Sequence, residues 1–513
     1  MEQPPSPLAL PEESRLALYC RNSLRRLESI HAKKALMQRA GAAAAAWAEA
    51  LLGEAKSASP SVLVLAGPGN NGGDALTMAT LLRQRQITVI TVFFGQIATL
   101  PKDAAQACQQ FLAEGGQILP EMPSDTRCDL IVDGLFGIGL THPLEGEAAR
   151  QVEAANRLAR EWDCPLLALD CPSGLNVDTG FCQGAVIHAT HTLSFIAGKP
   201  GLYTADGVDC CGEIRVDDLG TSPDAALSPD GGRITLDTFA HCLQPRKRNS
   251  HKGTYGSVGV IGGAHSMTGA ALLAGRAALK LGAGCVFIGL LDTQAPSVDF
   301  VQPEIMIRKP ESVFDAILSA LACGPGMGRS DHAAELLELA IAYPAPLILD
   351  ADALNLLAFD DNLQTALLGR DAATLLTPHP AEAARLLDLQ TVDIQQSRIH
   401  MAQELARRHR AWVVLKGSGS VISDPDGKWW INTTGNPGLS GPGFGDILSG
   451  ILLALLGQGW PPGAALQAAA HLHGQAADDL VAAGIGPVGL CAGELIDATR
   501  ARFNHWLREA GDR

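Results

Sequence analysis

The sequence predicts two α/β domains, each built on a mostly parallel sheet with helices on both faces. Short runs rich in Val, Ile and Leu alternate with helical segments along most of the 513 residues, and this alternation is typical of parallel strands joined by crossover helices. A turn-rich and then basic stretch interrupts the alternation over residues 217–253. We therefore expect a first domain over residues 1–222, a second over residues 232–513, and a junction near residues 222–245.

The composition fits globular domains and argues against several kinds of partner. Hydrophobic residues make up 47% and charged residues 18% of the chain, so it can bury a sizeable core. The net charge of −15 argues against a nucleic-acid or anionic-membrane surface, because both need clustered Lys and Arg. The opening MEQPPSPLALPEESR lacks the basic and apolar regions of a secretion leader, and the later apolar runs are too short for a membrane span. The 12 Cys follow neither a zinc-site nor a disulfide pattern, so we expect a cytoplasmic protein with reduced thiols.

In the first domain, an Ala-rich helical segment precedes a series of predicted strands. The helical segment, LMQRAGAAAAAWAEALLG, is expected to pack on the sheet that follows. The predicted strands and the turns that end them are SVLVLA (61–66), ITVITVFFG (87–95), CDLIVDGLFG (128–137), CPLLALDCPSG (164–174) and THTLSFIAG (190–198).

The first of these strands leads into GPGNNGGDAL, residues 67–76, which contains a G-x-G-x-x-G pattern. A dinucleotide-cofactor fingerprint also needs an acidic residue at the end of the second strand to hold the ribose hydroxyls. Here that strand ends in Phe94, Gly95 and Gln96. The missing acid argues against an NAD cofactor, and a glycine turn before a helix is an alternative interpretation of the pattern.

Polar side chains follow three of the predicted strands. Asn71 comes after SVLVLA, Asp133 ends DLIVD, and Asp170 and Ser173 follow PLLAL. Because the ends of parallel strands share one edge of the sheet, these side chains should converge where ligands bind. Amide, carboxylate and hydroxyl oxygens suit a hard, weakly charged cation, and Asp170 is a candidate general acid or base. Turn formation or capping is the alternative role of each residue.

These segments resemble the epimerase domain of the NAD(P)H-hydrate repair enzymes. The matching motifs are LMQRAG, GPGNNGGDAL, LIVDGLFGIGL, ALDCPSGLNVDTG and TLSFIAGKPGL, over about residues 14–220. The resemblance implies a Rossmann-like three-layer domain that interconverts the R and S epimers of NADH hydrate (NADHX) and NADPH hydrate (NADPHX). It implies K⁺ bound by Asn71, Asp133 and Ser173, and Asp170 as the catalytic residue. The hydrate-binding residues it implies are Asn70, Asn71, Gly72, Gly73, Asp74, Gly137, Ile138, Gly139, Leu140, Thr141, His142, Pro143 and Asp170. Ala75 departs from the family pattern, which has Gly there.

The second domain repeats the alternation and ends in a glycine-rich loop before an apolar helix. Its predicted strands and their loops are GSVGVIGG (256–263), CVFIGLL (285–291), AILSALACGPG (316–326), PLILDADAL (346–354), ATLLTPHP (373–380) and WVVLKGSGSVIS (412–423). In GPGFGDILSG, Gly443, Gly445 and Asp446 begin the helix. Open amide groups at a helix N-terminus can hold a phosphoryl group, and an Asp beside them can accept a proton from an attacking hydroxyl. A helix-capping turn is the alternative.

The ordered motifs of this domain resemble the ribokinase-like fold and, within it, the NAD(P)H-hydrate dehydratase domain. The motifs are SHKGTYGSVGVIGG, MTGAALLAGRAALKLGAG, GPGMG, DADALNLL, TPHPAEAARLL, LKGSGS and GNPGLSGPGFGD, over about residues 232–505. The resemblance implies that Asp446 is the catalytic base and that ADP is the phosphoryl donor, with Mg²⁺. The residues it implies for the nucleotide are Lys416, Gly417, Ser418, Gly419, Ser420 and Gly445, and those for the hydrate are Ala270, Gly326, His379 and Asp446.

Together the two resemblances imply a fused two-step repair enzyme, which we expect to form a homo-oligomer. A ribokinase-like kinase for a small alcohol with an accessory nucleotide-binding domain is the alternative, and a nucleotide-binding regulator is a second. Asp350 and Asp352 look like a metal pair, but structural hydrogen bonding is the favoured interpretation. His471 and His473 are two residues apart and do not share a helix face, so we do not expect them to be ligands. The sequence does not separate ADP from ATP, or NADH from NADPH.

Overall fold

The computed structural model describes residues 16–54, 59–122, 127–140 and 142–511. The chain divides into two compact units, Met1–Gly232 and Arg233–Arg513. Each is an α/β unit with a largely parallel sheet, so the predicted α/β class of both domains is confirmed.

The N-terminal unit carries seven strands in one parallel sheet. In chain order its elements are β1 (Ala17–Leu18), α1 (Arg21–Ile30), α2 (Leu36–Glu54), β2 (Ser61–Ala66), α3 (Asn70–Gln84), β3 (Thr88–Phe93), α4 (Lys102–Ala113), β4 (Ile118–Leu119), β5 (Leu130–Gly134), α5 (Gly146–Trp162), β6 (Leu166–Leu169), β7 (His191–Phe195), α6 (Gly207–Cys210), β8 (Glu213–Asp217), α7 (Pro223–Ala226) and β9 (Gly231–Arg233). The sheet order is β4-β3-β2-β5-β6-β7-β8, and all neighbouring strands in it are parallel. β1 and β9, which do not belong to this seven-stranded sheet, pair antiparallel with each other.

Alternation along β2 explains the three layers of this unit. Val62, Val64 and Ala66 pack into the core shared with α2, α3 and α4. Leu63 and Leu65 pack into the core on the other face, which α5 covers. Successive side chains of a strand point to opposite faces, so an all-apolar strand needs helices on both sides.

The C-terminal unit has a longer mixed sheet. Its elements are α8 (Leu236–Phe239), β10 (Ser257–Gly262), α9 (Thr268–Lys280), β11 (Cys285–Leu290), β12 (Met306–Arg308), β13 (Ala320–Cys323), α10 (Asp331–Ala342), β14 (Leu347–Leu349), α11 (Ala351–Ala358), α12 (Asp361–Leu368), β15 (Thr374–Leu376), α13 (Pro380–Leu387), α14 (Thr391–Gln396), α15 (Arg398–His409), β16 (Trp412–Leu415), β17 (Val421–Ser423), β18 (Trp429–Ile431), α16 (Phe444–Gly457), α17 (Pro462–Ala482) and α18 (Ala492–Gly511). The strand order is β18-β17-β16-β15-β14-β13-β10-β11-β12. β16, β17 and β18 pair antiparallel and the other neighbours are parallel.

The helix that follows the last glycine-rich loop lies in the centre of this unit's core. From Ile447 to Gly457 every residue of α16 is buried, and α9, α17 and α18 contribute to the same apolar cluster. A helix that is apolar on all sides is stable only inside a protein. Its N-terminus, with Gly445 and Asp446, is therefore held in a fixed position. Across the described ranges, no helix combines the length and the apolar character that a bilayer crossing requires.

Candidate functional site

In the N-terminal unit, the loops after β2, β5 and β6 begin at the same edge of the sheet. Ala66, the last residue of β2, pairs with Gly134, the last residue of β5. The loop after β2 packs closely on the loop after β5, since a Cβ on Gly67 would lie 1.8 Å from the Leu135 carbonyl oxygen. Within the first loop, a Cβ on Gly72 would lie 2.0 Å from the Gly67 carbonyl oxygen. The glycines of the G-x-G-x-x-G pattern thus allow backbones to approach, and Asn70 begins α3.

Asp133 and Ser173 form a buried hydrogen-bonded pair at this edge. The Ser173 hydroxyl donates to Asp133 Oδ1 at 2.7 Å and the Ser173 amide donates to Asp133 Oδ2 at 2.8 Å. The Leu135 amide also donates to Oδ1, at 3.1 Å. Burial raises the pKa of Asp133 to about 6, although the hydrogen bonds from Ser173 and Leu135 oppose this shift.

Asn71 supplies the strongest indication of a bound cation. Its side chain is 6% exposed, and within the described part of the chain neither its amide oxygen nor its amide nitrogen has a hydrogen-bond partner. A buried polar group without a partner is costly, and a cation at the oxygen would remove that cost. Asn71, Asp133 and Ser173 are the residues that could hold it. Their donor atoms are oxygens, which a hard cation prefers.

Asp170 lies directly after β6 and is held by an ion pair. Its φ is +67°, a left-handed conformation that is uncommon for a residue with a side chain. Lys199 Nζ lies 2.8 Å from Asp170 Oδ1, and the Lys199 side chain is only 1% exposed. A Cβ on Gly137 would lie 3.1 Å from Asp170 Oδ2 and 3.4 Å from Asn71 Cβ. Asp170, Asn71 and Gly137 therefore surround one small space.

Two further carboxyl groups stand near Asp170. Burial raises the pKa of Asp74 well above its usual value, and the charges of Asp170 and Glu28 add to the shift. Burial and Asp170 also raise the pKa of Glu28, against the effect of Lys199 and Arg25. Sequence reasoning identified Asp74 and Asp170 but missed Lys199 and Glu28. The available signal for Lys199 was a lysine in TLSFIAGKPGL, in the loop that follows β7, the strand paired with β6.

The remaining predicted hydrate contacts follow Gly137 along the loop. Ile138 and Leu140 are half-buried, whereas Gly139, His142 and Pro143 are exposed. The Arg21 guanidinium donates to the Leu140 carbonyl oxygen at 2.9 Å. Thr141 lies outside the described residues. Gly72 and Gly73 are buried in α3. Ala75 packs against Gly134, since a Cβ added to Gly134 would lie 2.4 Å from the Ala75 methyl.

In the C-terminal unit, Lys416 is the centre of a buried charge network. It directly follows β16, and its Nζ lies 2.9 Å from Asp350 Oδ1, a residue that directly follows β14. The Ser449 hydroxyl donates to Asp350 Oδ2 at 2.8 Å, and Glu382 Oε2 is 4.0 Å from Lys416 Nζ. Burial lowers the pKa of Lys416, but the charges of Asp350 and Glu382 outweigh it, so that the pKa is raised overall.

Asp446 faces this network from the first turn of α16. Burial and the charge of Asp350 raise the pKa of Asp446 to about 7, against the effect of Lys416. Gly443, the residue before the helix, has φ +87°, and a Cβ on Gly445 would lie 3.4 Å from Lys416 Nζ and 4.0 Å from Asp350 Oδ2. The structure thus brings Lys416, Gly445 and Asp446 together at a helix N-terminus, an arrangement suited to an anion.

The loop after Lys416 is shaped by glycines and by a buried arginine. Gly417 and Gly419 have φ of +139° and +61°, and the Ser420 hydroxyl donates to the Gly417 carbonyl oxygen at 3.0 Å. The Arg398 guanidinium, beneath the loop, donates to the carbonyl oxygens of Leu415 and Lys416 at 3.2 Å each. Ser418 lies between the two glycines, so the predicted nucleotide residues from Lys416 to Ser420 form one continuous turn.

The predicted hydrate contacts of this unit lie in two places. Gly326 has φ +57°, and its added Cβ would lie 3.1 Å from the Ala270 methyl, so these two residues are neighbours. His379 begins α13: its Nδ1 accepts from the Ala381 amide at 3.1 Å, and its Nε2 is 3.2 Å from Glu382 Oε1. Burial lowers the pKa of His379, and Lys416 adds to this. His379 is linked through Glu382 to Lys416.

Sequence reasoning missed Glu382 and Ser449, and it left the role of Asp350 open. Burial raises the pKa of Glu382 to about 7, partly offset by Lys416. Asp352 accepts a hydrogen bond from the Gly328 amide at 2.9 Å. His473 Nε2 lies 3.0 Å from the Phe444 carbonyl oxygen, and burial lowers the pKa of His473 to about 4.

Comparison with known proteins agrees with both halves of the chain. A family model described as NAD(P)H-hydrate dehydratase matches residues 258–498, and one described as YjeF-related protein N-terminus matches residues 33–201. A crystal structure of the ADP/ATP-dependent NAD(P)H-hydrate dehydratase from Bacillus subtilis, co-crystallised with ATP and Mg²⁺, is 32% identical, with a TM-score of 0.48 over 53% of this chain and 97% of that one.

Curated relatives match the whole chain. The bifunctional NAD(P)H-hydrate repair enzyme of Coxiella burnetii is 36% identical over 95% of this chain and 99% of that protein. The enzyme of the same name from Escherichia coli is 36% identical over 91% of this chain and 89% of that protein. On these matches, this chain belongs to the family of bifunctional NAD(P)H-hydrate repair enzymes.

Proposed function

We propose that the chain repairs hydrated NADH and NADPH in two steps, with one step in each domain. Residues 1–222 form the epimerase, which interconverts the R and S hydrates. Residues 232–513 form the dehydratase, which returns the S hydrate to NAD(P)H with ADP as phosphoryl donor. The observation that carries the proposal is the half-buried Asp446 carboxyl, which lies near Lys416 and Asp350 at the N-terminus of α16.

In the dehydratase, Asp446 acts as the general base. It accepts the proton of the hydrate's ring hydroxyl while that oxygen attacks the β-phosphorus of ADP, and AMP leaves. The amide groups of residues 443–445 and the Lys416 ammonium stabilise the negative charge on the transferred phosphoryl group. Phosphate is a far better leaving group than hydroxide, so it departs with the carbon–oxygen bond. Loss of a proton from the neighbouring carbon then restores the ring double bond.

The nucleotide lies along the turn from Lys416 to Ser420 and over Gly445. The left-handed glycines at 417 and 419 expose backbone groups that a phosphate or an adenine can contact. The hydrate lies against Ala270, Gly326, His379 and Asp446. The acidic side chains near Lys416 fit a Mg²⁺ ion that accompanies the nucleotide, and the ion supplies charge neutralisation of the phosphates. The relative that was crystallised with ATP and Mg²⁺ supports the choice of an adenine nucleotide with magnesium.

In the epimerase, Asp170 accepts and donates protons at or near the hydrated carbon. Asn70 to Asp74 and Gly137 to Pro143 line the hydrate, since the added Cβ of Gly137 would fill the space between Asp170 and Asn71. Potassium is held by Asn71, Asp133 and Ser173 and supplies a positive charge near the substrate. The unpartnered Asn71 amide supports this cation, and a single carboxylate among its three ligands favours a monovalent ion.

A cytoplasmic location and a homo-oligomeric state belong to the same proposal. All twelve cysteines are free thiols, and of these only Cys491 is exposed. Free thiols on this scale are usual in a reducing compartment. The chain's partners are then its small-molecule substrates NADHX, NADPHX and ADP.

The test is recovery of NADH from its hydrate, followed by the absorbance of NADH. Purified protein with S-hydrate, ADP and Mg²⁺ is expected to regenerate NADH, and the R-hydrate is expected to be consumed faster than its spontaneous epimerisation, more so with K⁺ than with tetramethylammonium. Replacing ADP by ATP in a parallel reaction identifies the donor. A stable phosphorylated product without NADH would instead indicate a kinase, and the absence of any turnover would indicate a regulator.

A further inference from the structure

The buried lysine behind Asp170 has no place in the mechanism described so far. Lys199 Nζ lies 2.8 Å from Asp170 Oδ1, donates to the Ser194 hydroxyl at 2.7 Å, and reaches the carbonyl oxygens of Phe195 at 3.2 Å and Ala197 at 3.4 Å. An ammonium group has three protons and no acceptor site. All three protons therefore find partners, and the side chain is fixed in one position.

Lys199 approaches Asp170 from the interior of the protein. Its side chain is 1% exposed, whereas that of Asp170 is 15% exposed, so Lys199 is shielded from a substrate that Asp170 can touch. The Phe195 amide donates to the same Asp170 oxygen, Oδ1, at 3.3 Å. The other oxygen, Oδ2, lies on the side of Gly137 and Asn71. The two oxygens of one carboxylate thus have different surroundings.

We propose that Lys199 is the positioning residue of the epimerase site, anchoring Oδ1 of Asp170 so that Oδ2 is the atom that exchanges the proton with the hydrate. This inference rests on the proposed epimerase function and adds the residue and the oxygen that perform it. The other titratable groups around Asp170 are Asp74, Glu28 and the Cys171 thiol, and none of them can supply a positive charge.

The test compares Lys199→Met and Lys199→Arg with wild type in the full chain, with R-hydrate as substrate and K⁺ present. For Lys199→Met we expect kcat to fall about 100-fold, because a displaced carboxylate loses its alignment, with KM changed less than about threefold. Lys199→Arg should have an intermediate kcat, since a guanidinium restores the positive charge but not the compact geometry of the ammonium.

The controls separate this inference from simple loss of structure and from failure of the proposed function. Lys33→Met, at an exposed lysine, should behave as wild type, and the Tm of residues 1–232 of each variant, expressed alone and compared with the same piece of wild type, reports whether the N-terminal unit folds. A wild-type kcat in Lys199→Met, or a loss confined to KM, would overturn the positioning role. If Lys199→Met does not fold, Lys199→Arg decides: a wild-type kcat would reject the proposal. A wild-type protein without epimerase activity contradicts the proposed function instead.

Discussion

The Asp446 carboxyl group combines burial with a neighbouring negative charge, and this combination suits a base that works near neutral pH. Its pKa of about 7 results from desolvation and from Asp350, and Lys416 limits the shift. A base is most effective when its pKa is close to the working pH, because it is then both ionised and basic enough to take a proton. Burial disfavours the charged carboxylate of Asp446, and a carboxylate that is disfavoured in this way is a stronger acceptor for the hydrate's hydroxyl proton.

Asp446→Asn is expected to lower kcat of ADP-dependent dehydration by 10²- to 10⁴-fold, the usual contribution of a general base. In wild type, kcat/KM should rise about tenfold per pH unit below pH 7 and level off above it, since only the ionised carboxylate accepts a proton. The measurement is NADH recovery from S-hydrate between pH 5.5 and 9.

The fold of the variant is checked by its Tm as a function of pH. A pKa raised from 3.8 to about 7 in the folded state means that the folded protein binds more protons than the unfolded chain between these values, so Asp446 costs stability as the pH rises through them. Asp446→Asn should therefore melt no lower than wild type at pH 8. Glu382 has a similar pKa, of about 7; if Glu382→Gln rather than Asp446→Asn abolished the acidic limb of the rate profile, Glu382 would be the base.

At the scale of elements, α16 contributes both to the core of the C-terminal unit and to the proposed anion site at its N-terminus. Its buried residues fix the helix axis, and its N-terminal amides remain open because Gly443 and Gly445 carry no side chain. A methyl group on Gly445 would lie 3.4 Å from Lys416 Nζ. This contact is tolerable for the fold, but the methyl would occupy the space of the phosphoryl group.

Gly445→Ala is accordingly expected to preserve folding and to impair the nucleotide step. In a helix Ala is more stable than Gly by about 0.5–1 kcal/mol, so Tm should not fall. We expect kcat/KM for ADP to fall about 100-fold, because a displacement of about 1 Å in a reacting group has this effect. The matched control is Gly493→Ala, in α18, where an added Cβ meets nothing within 4 Å. Equal kcat/KM in both variants would exclude Gly445 from the phosphate site.

Several elements could be predicted from sequence because their signals are local. The run SVLVLA coincides with β2, and the apolar helix predicted at GPGFGDILSG begins at Phe444, within this segment. The start of α3 at Asn70, inside the glycine-rich segment, was harder to locate because Gly residues are weak helix formers. The β1–β9 pair joins residues more than 200 positions apart through two- and three-residue strands, and no periodicity can reveal such short strands.

In the candidate sites too, residues within local motifs could be predicted from the sequence, and their distant partners could not. Asp170 and Asp446 stand in recognisable motifs, whereas their partners come from distant strands and helices. Ser449 bonds Asp350 across 99 positions, and Lys199 reaches Asp170 from the next strand of the sheet. The sequence also predicts Lys416 as a nucleotide ligand. Only the fold reveals that Asp350 and Glu382 lie beside its ammonium group.

At the scale of the whole molecule, each proposed site is complete within one unit. The residues around Asp170 come from positions 28 to 199, and those around Asp446 from positions 270 to 473, on either side of the boundary at Gly232 and Arg233. A catalytic group in one unit therefore needs no side chain from the other. The S-hydrate that the epimerase makes can leave it and be dehydrated by another molecule of the protein.

This independence predicts that two damaged chains restore repair when mixed. Asp170→Ala alone should consume R-hydrate only at its spontaneous rate of epimerisation, and Asp446→Asn alone should recover little NADH from either epimer. With ADP, Mg²⁺ and K⁺, an equimolar mixture should convert R-hydrate to NADH at about half the wild-type rate per total chain, because half of the chains carry each active site.

Placing the two variants on opposite sides of a dialysis membrane that passes the hydrate excludes exchange of subunits as the cause. Since released S-hydrate crosses such a membrane, NADH should still form on the Asp170→Ala side after a delay. Recovery in the mixture but not across the membrane would mean that the hydrate passes between chains in contact, and no recovery in either arrangement would mean that it never leaves the chain that made it.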